Sequence, residues 1–182
     1  MKGVIFNLFE EYVAAGYGDV FLEDLYVEAS LPDDVPPFIG PLSYPDDIFF
    51  DMVVYTAKKK NLNPEKLYFA FGRFSIPLLA KRFPIFFTES SSTMELMEKI
   101  NDIHHLEVKK LYPDAELPHF KIEPGDDDSM TVHYSSHRHL CSLAKGLIAG
   151  VADHFGESVH TEEKSCMNDG DATCIFKISS MG

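Results

Sequence analysis

The first two thirds of the chain carry apolar residues at the three- and four-residue spacings of amphipathic helices. Residues 3–15 show this spacing, with Ile5 and Phe9 one turn apart, before a turn at Gly16–Gly18. Acidic residues follow Pro45, where the dipole of a starting helix favours them. The pattern predicts five helices, at residues 3–15, 20–29, 46–60, from 64 through at least 78, and about 94–111.

After Pro118 the pattern changes to short runs between turn residues, which is typical of strands. Residues 138–155 return to helical spacing between two such pairs of runs. The sequence therefore predicts an α+β fold, in which helices come first and an antiparallel sheet with one inserted helix follows. The predicted hairpins join residues 120–123 with 130–135, and residues 159–166 with 173–179.

The composition is that of an acidic globular domain. The 182 residues include 16 Lys and Arg against 29 Asp and Glu, a formal net charge of −13. Nucleic acids and anionic membranes are recognised through clustered Lys and Arg, so this balance argues against both classes of partner. No run reaches the roughly 18 apolar residues of a membrane span, and Glu10 and Glu11 interrupt the apolar N-terminus early. We expect one cytoplasmic domain, with a helical part over about 1–65 and a second part over about 66–182.

Three polar residues alternate where the predicted strand runs into a helix. On an extended strand Tyr134, Ser136 and Arg138 would all point to one face. Two hydroxyls and a guanidinium on one face make a receptor for carboxylates, because Arg offers a bidentate fork and the hydroxyls add donors. A plain strand end followed by a surface Arg has the same pattern, so the motif alone stays open.

His104 and His105 lie inside the last predicted helix before the strands. A histidine in an apolar helical stripe is usually a core residue, but an imidazole facing an apolar cavity is also a common axial ligand of haem iron. Helical periodicity favours His104, which falls in line with Met97 and Leu111. Combined with a carboxylate receptor, such an imidazole indicates a cofactor with a metal centre and carboxylates at its rim, a description that haem fits.

Seven short motifs follow one another along nearly the whole chain. They are Met1–Asn7, Phe71-Gly72, His105–Val108, Lys110–Tyr112, Leu117–His119, Tyr134-x-Ser136-x-Arg138 and Gly146–Ile148. In this order the motifs resemble those of the haem-nitric oxide/oxygen binding (H-NOX) family, the sensor module also found in soluble guanylate cyclases. The resemblance implies haem b, buried between the helical part and the sheet.

The resemblance also implies roles for single residues. Tyr134, Ser136 and Arg138 would hold the haem propionates. The family places its proximal ligand immediately before Leu-Glu-Val, which selects His105 where periodicity favours its neighbour. Pro118 falls where the family places a proline that packs against the haem and distorts it, although a proline also serves there as a break between helix and strand.

The distal side of the implied haem site is apolar. Members of the family that bind oxygen stably supply a hydrogen-bond donor, commonly a tyrosine, at the position that matches Leu143. The other distal candidates, Ile5 and Phe9, also lack a donor. Bound oxygen carries partial negative charge and needs such a donor, whereas nitric oxide binds ferrous iron strongly without one. The resemblance therefore implies a sensor of nitric oxide, with CO as a further ligand.

We therefore expect a regulatory module rather than an enzyme. Peroxidase or oxygenase chemistry needs acid–base groups or a thiolate at the iron, and the apolar distal residues supply neither. Nitric oxide would weaken or break the bond between the iron and His105, and the helix around residues 94–111 would then relax. Because the chain ends at Gly182 without an effector domain, we expect its output to act in trans. The resemblance implies a histidine kinase or a cyclic-di-GMP enzyme as partner.

An odd count of three cysteines argues against a disulfide framework. Cys166 and Cys174 would be cross-strand partners in the second hairpin, and Cys141 lies on the preceding helix. Three thiols plus one more ligand make a tetrahedral zinc site. Some family members have a histidine where this chain has Glu163, and alternation puts the nearest histidine, His160, on the Cys166 face. A zinc and thiol redox sensor is therefore the alternative function, and three reduced cysteines without metal are the simpler interpretation.

Overall fold

The computed structural model describes residues 1–29, 31, 37–126 and 128–181, with the side chains of residues 105–107 outside that description. Its fold is α+β, as predicted. None of the helices in these residues is long and apolar enough to cross a bilayer. The helices are α1 (Gly3–Tyr17), α2 (Asp19–Glu28), α3 (Asp46–Lys60), α4 (Pro64–Arg82), α5 (Ile85–Thr88), α6 (Thr93–Glu98), α7 (Ile100–Asp102), a π-helix (Ile103–Val108), α8 (Lys109–Leu111) and α9 (Cys141–Phe155). The strands are β1 (His119–Pro124), β2 (Ser129–Ser135), β3 (Val159–Ser165) and β4 (Cys174–Ser180).

Local chemistry sets the ends of the longer helices. The side-chain oxygen of Asn63 accepts from the Glu65 N–H at 2.7 Å and caps α4. Helix α3 has Asp46 in its first turn and three lysines in its last turn, which complements the helix dipole at both ends. It ends where Asn61 adopts a left-handed φ of 52°. These boundaries agree with the predicted ones.

The single helix predicted over residues 94–111 is instead divided into α6, α7, the π-helix and α8. A π-helix closes its hydrogen bonds over five residues, so spacings of three and four no longer predict which side chains share a face. Met97 is buried while Leu111 is 55% exposed. The stripe that aligned His104 with both of them was therefore wrong.

The sheet has the strand order β1-β2-β4-β3, with all neighbours antiparallel. Along β2 the buried residues alternate with less buried ones, and Val132 lies opposite Phe176 of β4. Ala144 and Ile148 of α9 share the buried cluster with these strand residues. A bulge between residues 163 and 165 shifts the β3–β4 register. The inserted helix thus covers one face of the sheet.

Helices α4 and α9 pack closely because glycines lie at their contact. A Cβ on Gly72 would lie 2.5 Å from the carbonyl oxygen of Leu143, and a Cβ on Gly146 would overlap the backbone of Phe69. Helix α4 also contributes Phe71 to the aromatic core formed with α1 and α3. It therefore connects the N-terminal helices to the helix that covers the sheet.

Candidate functional site

Tyr134 is the last buried residue of β2. Its cross-strand partners are Phe120 on β1 and Cys174 on β4, and it is 4% exposed. Burial raises the pKa of Tyr134 to about 12, with a hydrogen bond to Ser136 acting in the opposite direction. The hydroxyl therefore stays neutral at physiological pH and can donate a hydrogen bond.

Ser136 and Arg138 do not lie on the strand, contrary to the prediction from alternation. Strand β2 ends at Ser135, and in the turn that follows the His139 N–H donates to the carbonyl oxygen of Ser136 at 3.1 Å. The Ser136 hydroxyl accepts from the Arg138 N–H at 3.2 Å. Both residues still interact electrostatically with Tyr134. A turn, rather than an extended strand, brings the three predicted residues together.

The guanidinium of Arg138 is largely buried and faces two carboxylates. Its Nε donates to Oδ2 of Asp46 at 2.7 Å, while Nη1 donates to the main-chain oxygen of Glu116 at 2.8 Å and Nη2 to Oε2 of Glu116 at 3.3 Å. Asp46 also accepts from the Met1 ammonium at 2.6 Å. Burial alone would raise the pKa of Asp46, but the hydrogen bonds from Met1 and Arg138 outweigh it and hold this pKa below its usual range.

The sequence did not predict that Asp46 and Glu116 would contact Arg138. Asp46 was expected to favour the first turn of a helix, and it does lie there. Its pair with Arg138 spans 92 positions of the chain, and the pair with Glu116 spans 22. Local spacing says nothing about contacts that only the tertiary fold creates.

A cleft of about 450 Å³ opens beside this turn. Its walls bring together an ammonium group, imidazoles, a hydroxyl and one carboxylate. Such a donor set, with Arg138 adjacent, suits an anionic ligand group. The lining residues are Lys109, Ala115, Glu116, Leu117, His119, Ser136 and His137.

Both candidate histidines lie in the π-helix, a conformation that often marks functional sites. The side chain of His105 is outside the described residues, so its role as a metal ligand stays a prediction. His104 is partly buried, and its ring centroid lies 5.6 Å from that of Phe120. Pro118 is half-buried directly before β1, so it does separate the helical segment from the first strand.

The three predicted distal residues converge on one apolar cluster. Phe9 is fully buried, with its ring edge against Phe71 at a centroid distance of 5.2 Å. Ile5 and Leu143 are partly buried and pack against the same cluster. Helices α1 and α9 therefore present a wall on which none of these three side chains carries a hydrogen-bond donor.

Cys141, Cys166 and Cys174 come together in the core beneath α9. Their sulfur atoms all lie within 4.8 Å of one another, and the sulfurs of Cys174 and Cys141 are 2.6 Å apart. Burial raises the pKa of Cys166 to about 11 and raises that of Cys141 further. Both thiols are therefore protonated at neutral pH, and a metal would have to displace those protons.

Glu163, and not His160, lies beside the thiols. The Glu163 carboxylate hydrogen-bonds with Cys166 and pairs with Lys145. Because of the bulge after Glu163, strand alternation is interrupted before the cysteine is reached. His160 is exposed opposite Ser179, on the other face of the sheet. The prediction that His160 shares the Cys166 face was therefore wrong.

Comparisons with known proteins extend this picture. A family model described as haem-NO-binding matches residues 2–163. The crystal structure of an H-NOX protein from S. oneidensis in the Fe(II)NO ligation state has a TM-score of 0.94 and 31% identity, over 100% of both chains. An NMR structure of an H-NOX domain from Shewanella oneidensis in the Fe(II)CO ligation state has a TM-score of 0.91 and 31% identity, over 100% of this chain and 99% of that one. The rat (Rattus norvegicus) guanylate cyclase soluble subunit beta-2 is 33% identical over 69 residues, which are 37% of this chain and 10% of that subunit.

Proposed function

The chain belongs to the haem-NO-binding family, and from that premise we propose that it is a haem-based nitric oxide sensor that regulates a partner signalling protein in trans. One observation carries the proposal: a largely buried hydroxyl and guanidinium cluster at the end of β2 is combined with three apolar side chains of α1 and α9, those of Ile5, Phe9 and Leu143, which carry no hydrogen-bond donor. The match along the whole chain to H-NOX proteins in nitric oxide and CO ligation states supports it.

The residues present fit a haem group. Propionates need charged and hydroxyl donors, and Tyr134, Ser136 and Arg138 supply both kinds beside the cleft. We assign these three residues to the propionates; His105 would ligate the iron, and Pro118 would pack against the haem. Ferrous haem b would supply the iron that binds nitric oxide and CO.

The distal wall is the basis for the proposed preference for nitric oxide over oxygen. Ile5, Phe9 and Leu143 are apolar, and none of them could donate a hydrogen bond to a bound diatomic ligand. Bound oxygen carries partial negative charge and would gain no stabilising hydrogen bond there, whereas nitric oxide would not depend on one. The site is therefore suited to nitric oxide in the presence of air.

Transmission of the signal would begin at the proximal side. Release of His105 when nitric oxide binds would free the segment from α6 to α8. Asn101 in this segment donates to the carbonyl oxygen of Phe120 at 2.8 Å, which links the segment to the edge of the sheet. A histidine kinase or a cyclic-di-GMP enzyme in the cytoplasm would then recognise the changed surface, and the chain itself would act without catalysis.

Absorption spectra of the full chain loaded with haem test the proposal. The ferrous protein should stay five-coordinate in air and change its spectrum when nitric oxide is added. Arg138→Ala should lose haem faster than Arg73→Ala, because Arg73 pairs with Asp153 on the surface, away from the receptor. A chain that takes up no haem, or one that turns over peroxide, would contradict the proposal.

A zinc and thiol redox sensor is the second candidate, favoured by the three sulfur atoms within 4.8 Å. Glu163 would complete a tetrahedral set if it exchanged Lys145 for the metal. Metal analysis of the purified protein tests this candidate, with Cys174→Ala as the variant. Glu162→Gln, which keeps all three cysteines and lies on the opposite face of the sheet, is the control. Zinc in wild type and the control, but not in the cysteine variant, would support it, and absence of zinc from wild type would contradict it.

A further inference from the structure

Two carboxylates share the guanidinium of Arg138, but they are held very differently. Asp46 is 25% exposed, bonds Nε at 2.7 Å and is also held by the Met1 ammonium. Glu116 is 70% exposed, and its carboxylate reaches Nη2 at 3.3 Å. Asp46 is therefore a fixed partner of the guanidinium, whereas the Glu116 carboxylate is a weak and solvent-screened one.

The Glu116 side chain can leave without disturbing the loop that carries it. Its main-chain oxygen accepts independently from Nη1 of Arg138 at 2.8 Å, so the backbone stays anchored when the side chain rotates. The carboxylate would give up contacts of 3.3 Å to Arg138 and 3.3 Å to His137. Both contacts are long for charge-assisted hydrogen bonds.

Among the residues that line the cleft, Glu116 is also the one acidic side chain. The other lining residues include Lys109, Ser136 and His137, which attract an anion. A ligand carboxylate that binds Nη2 there would compete with the Glu116 carboxylate for this nitrogen, and it would lie near that carboxylate as a like charge. The Glu116 carboxylate therefore repels the anionic group that the other lining residues of the cleft attract.

We infer that Glu116 is an internal competitor for the carboxylate-binding face of Arg138, and that it weakens retention of the haem propionates. The inference rests on the proposed function, because it takes the propionate-bearing ligand from there. Asp46 has the opposite role on the same guanidinium: it holds Arg138 in place for the ligand. The two acidic residues that contact Arg138 therefore have opposite effects on haem retention.

Transfer of haem from the loaded full chain to an excess of a haem-free globin tests the inference. Glu116→Gln keeps the shape of the side chain and removes its charge, so haem release should slow by roughly three- to tenfold. Glu23→Gln, an exposed acidic position on α2, should release haem at the wild-type rate. Asp46→Asn should release it faster than wild type.

Salt separates the electrostatic explanation from a merely structural one. Raising the ionic strength from about 0.05 to 0.5 M should shrink the difference between Glu116→Gln and wild type, because exposed charges are screened. If Glu116→Gln releases haem as fast as wild type or faster, or if its advantage is independent of salt, the inference is overturned. In that case the proposed function still stands, provided that wild type binds haem and responds to nitric oxide.

Discussion

The Nε atom of Arg138 donates to Oδ2 of Asp46 at 2.7 Å, across 92 positions of the sequence. The two side chains are 11% and 25% exposed. Because the other oxygen of Asp46 accepts from the Met1 ammonium, one carboxylate joins the turn after β2 to the start of the chain. The pair ties the proposed propionate receptor to the N-terminal helices.

Asp46→Asn should destabilise the fold, because it leaves two largely buried cations with weaker partners. We expect a loss in unfolding free energy on the order of 1–3 kcal/mol at neutral pH, measured by urea denaturation. Asp51→Asn, at an exposed position of the same helix, is the matched control and should change little. Equal stabilities for the two variants would contradict the role given to Asp46.

The same pair predicts how stability depends on pH. The pKa of Asp46 is lowered from 3.8 in the folded protein, so its contribution is fully present above the unfolded pKa. That contribution is lost as the pH falls through the folded value, where the carboxylate takes up a proton. The stability difference between wild type and Asp46→Asn should therefore narrow below about pH 4. If this stability difference widened in acid, a group other than Asp46 would dominate the pH dependence of stability.

Gly146→Ala should be strongly destabilising, because its Cβ would overlap the carbonyl group of Phe69 where α9 meets α4. Overpacking of this kind costs about 1–3 kcal/mol and occasionally more. Gly16→Ala is the matched control, since that glycine is helical and exposed with nothing within 4 Å of its Cβ. It should gain up to about 1 kcal/mol. Thermal unfolding of both variants checks the sign of each effect.

The sequence predicted elements whose signals are local. The caps and charges of α3 and the turns of both hairpins lie within a few residues of the structures they define. Periodicity failed where the backbone departs from regular geometry. The π-helix changed the spacing around His104, and the bulge at Glu163 reversed the face expected for His160.

The sequence predicted which polar residues lie together at the end of β2, but not how they are arranged. Tyr134, Ser136 and Arg138 were identified, yet a turn positions the last two, and their acidic neighbours came from distant parts of the chain. Long-range ion pairs depend on the final packing of helices and strands. No spacing rule within one segment predicts them.

His105→Gly should empty the proposed axial position while leaving the propionate receptor intact. Added imidazole should then restore the ferrous haem spectrum of wild type, since the free ligand replaces the missing side chain. His104→Gly is the control, because the neighbouring ring lies beside Phe120. If His104→Gly loses the spectrum and His105→Gly keeps it, the register taken from the family resemblance is wrong.

The proposed gas discrimination rests on the wall formed by Ile5, Phe9 and Leu143, three side chains without a hydrogen-bond donor. A neutral hydrogen bond contributes about 1 kcal/mol net, and more where water is excluded. Its absence should lower oxygen affinity by roughly fivefold or more, while nitric oxide affinity should barely depend on it. The ferrous wild-type protein should therefore form no lasting oxygen complex in air, as measured by absorption spectra.

Leu143→Tyr introduces a hydroxyl into this wall and should shift the protein toward oxygen binding. Leu143→Phe is the matched control, because it adds a ring of similar size without the donor. Oxygen binding in the tyrosine variant alone would identify the hydroxyl as the cause, whereas equal behaviour of the two variants would indicate a steric effect. The absorption spectrum of the wild-type protein in air decides whether the proposed rejection of oxygen holds. A stable oxygen complex in the unmodified protein would mean that a donor outside these three residues reaches the ligand, and the assignment as a nitric oxide sensor that rejects oxygen would then fail.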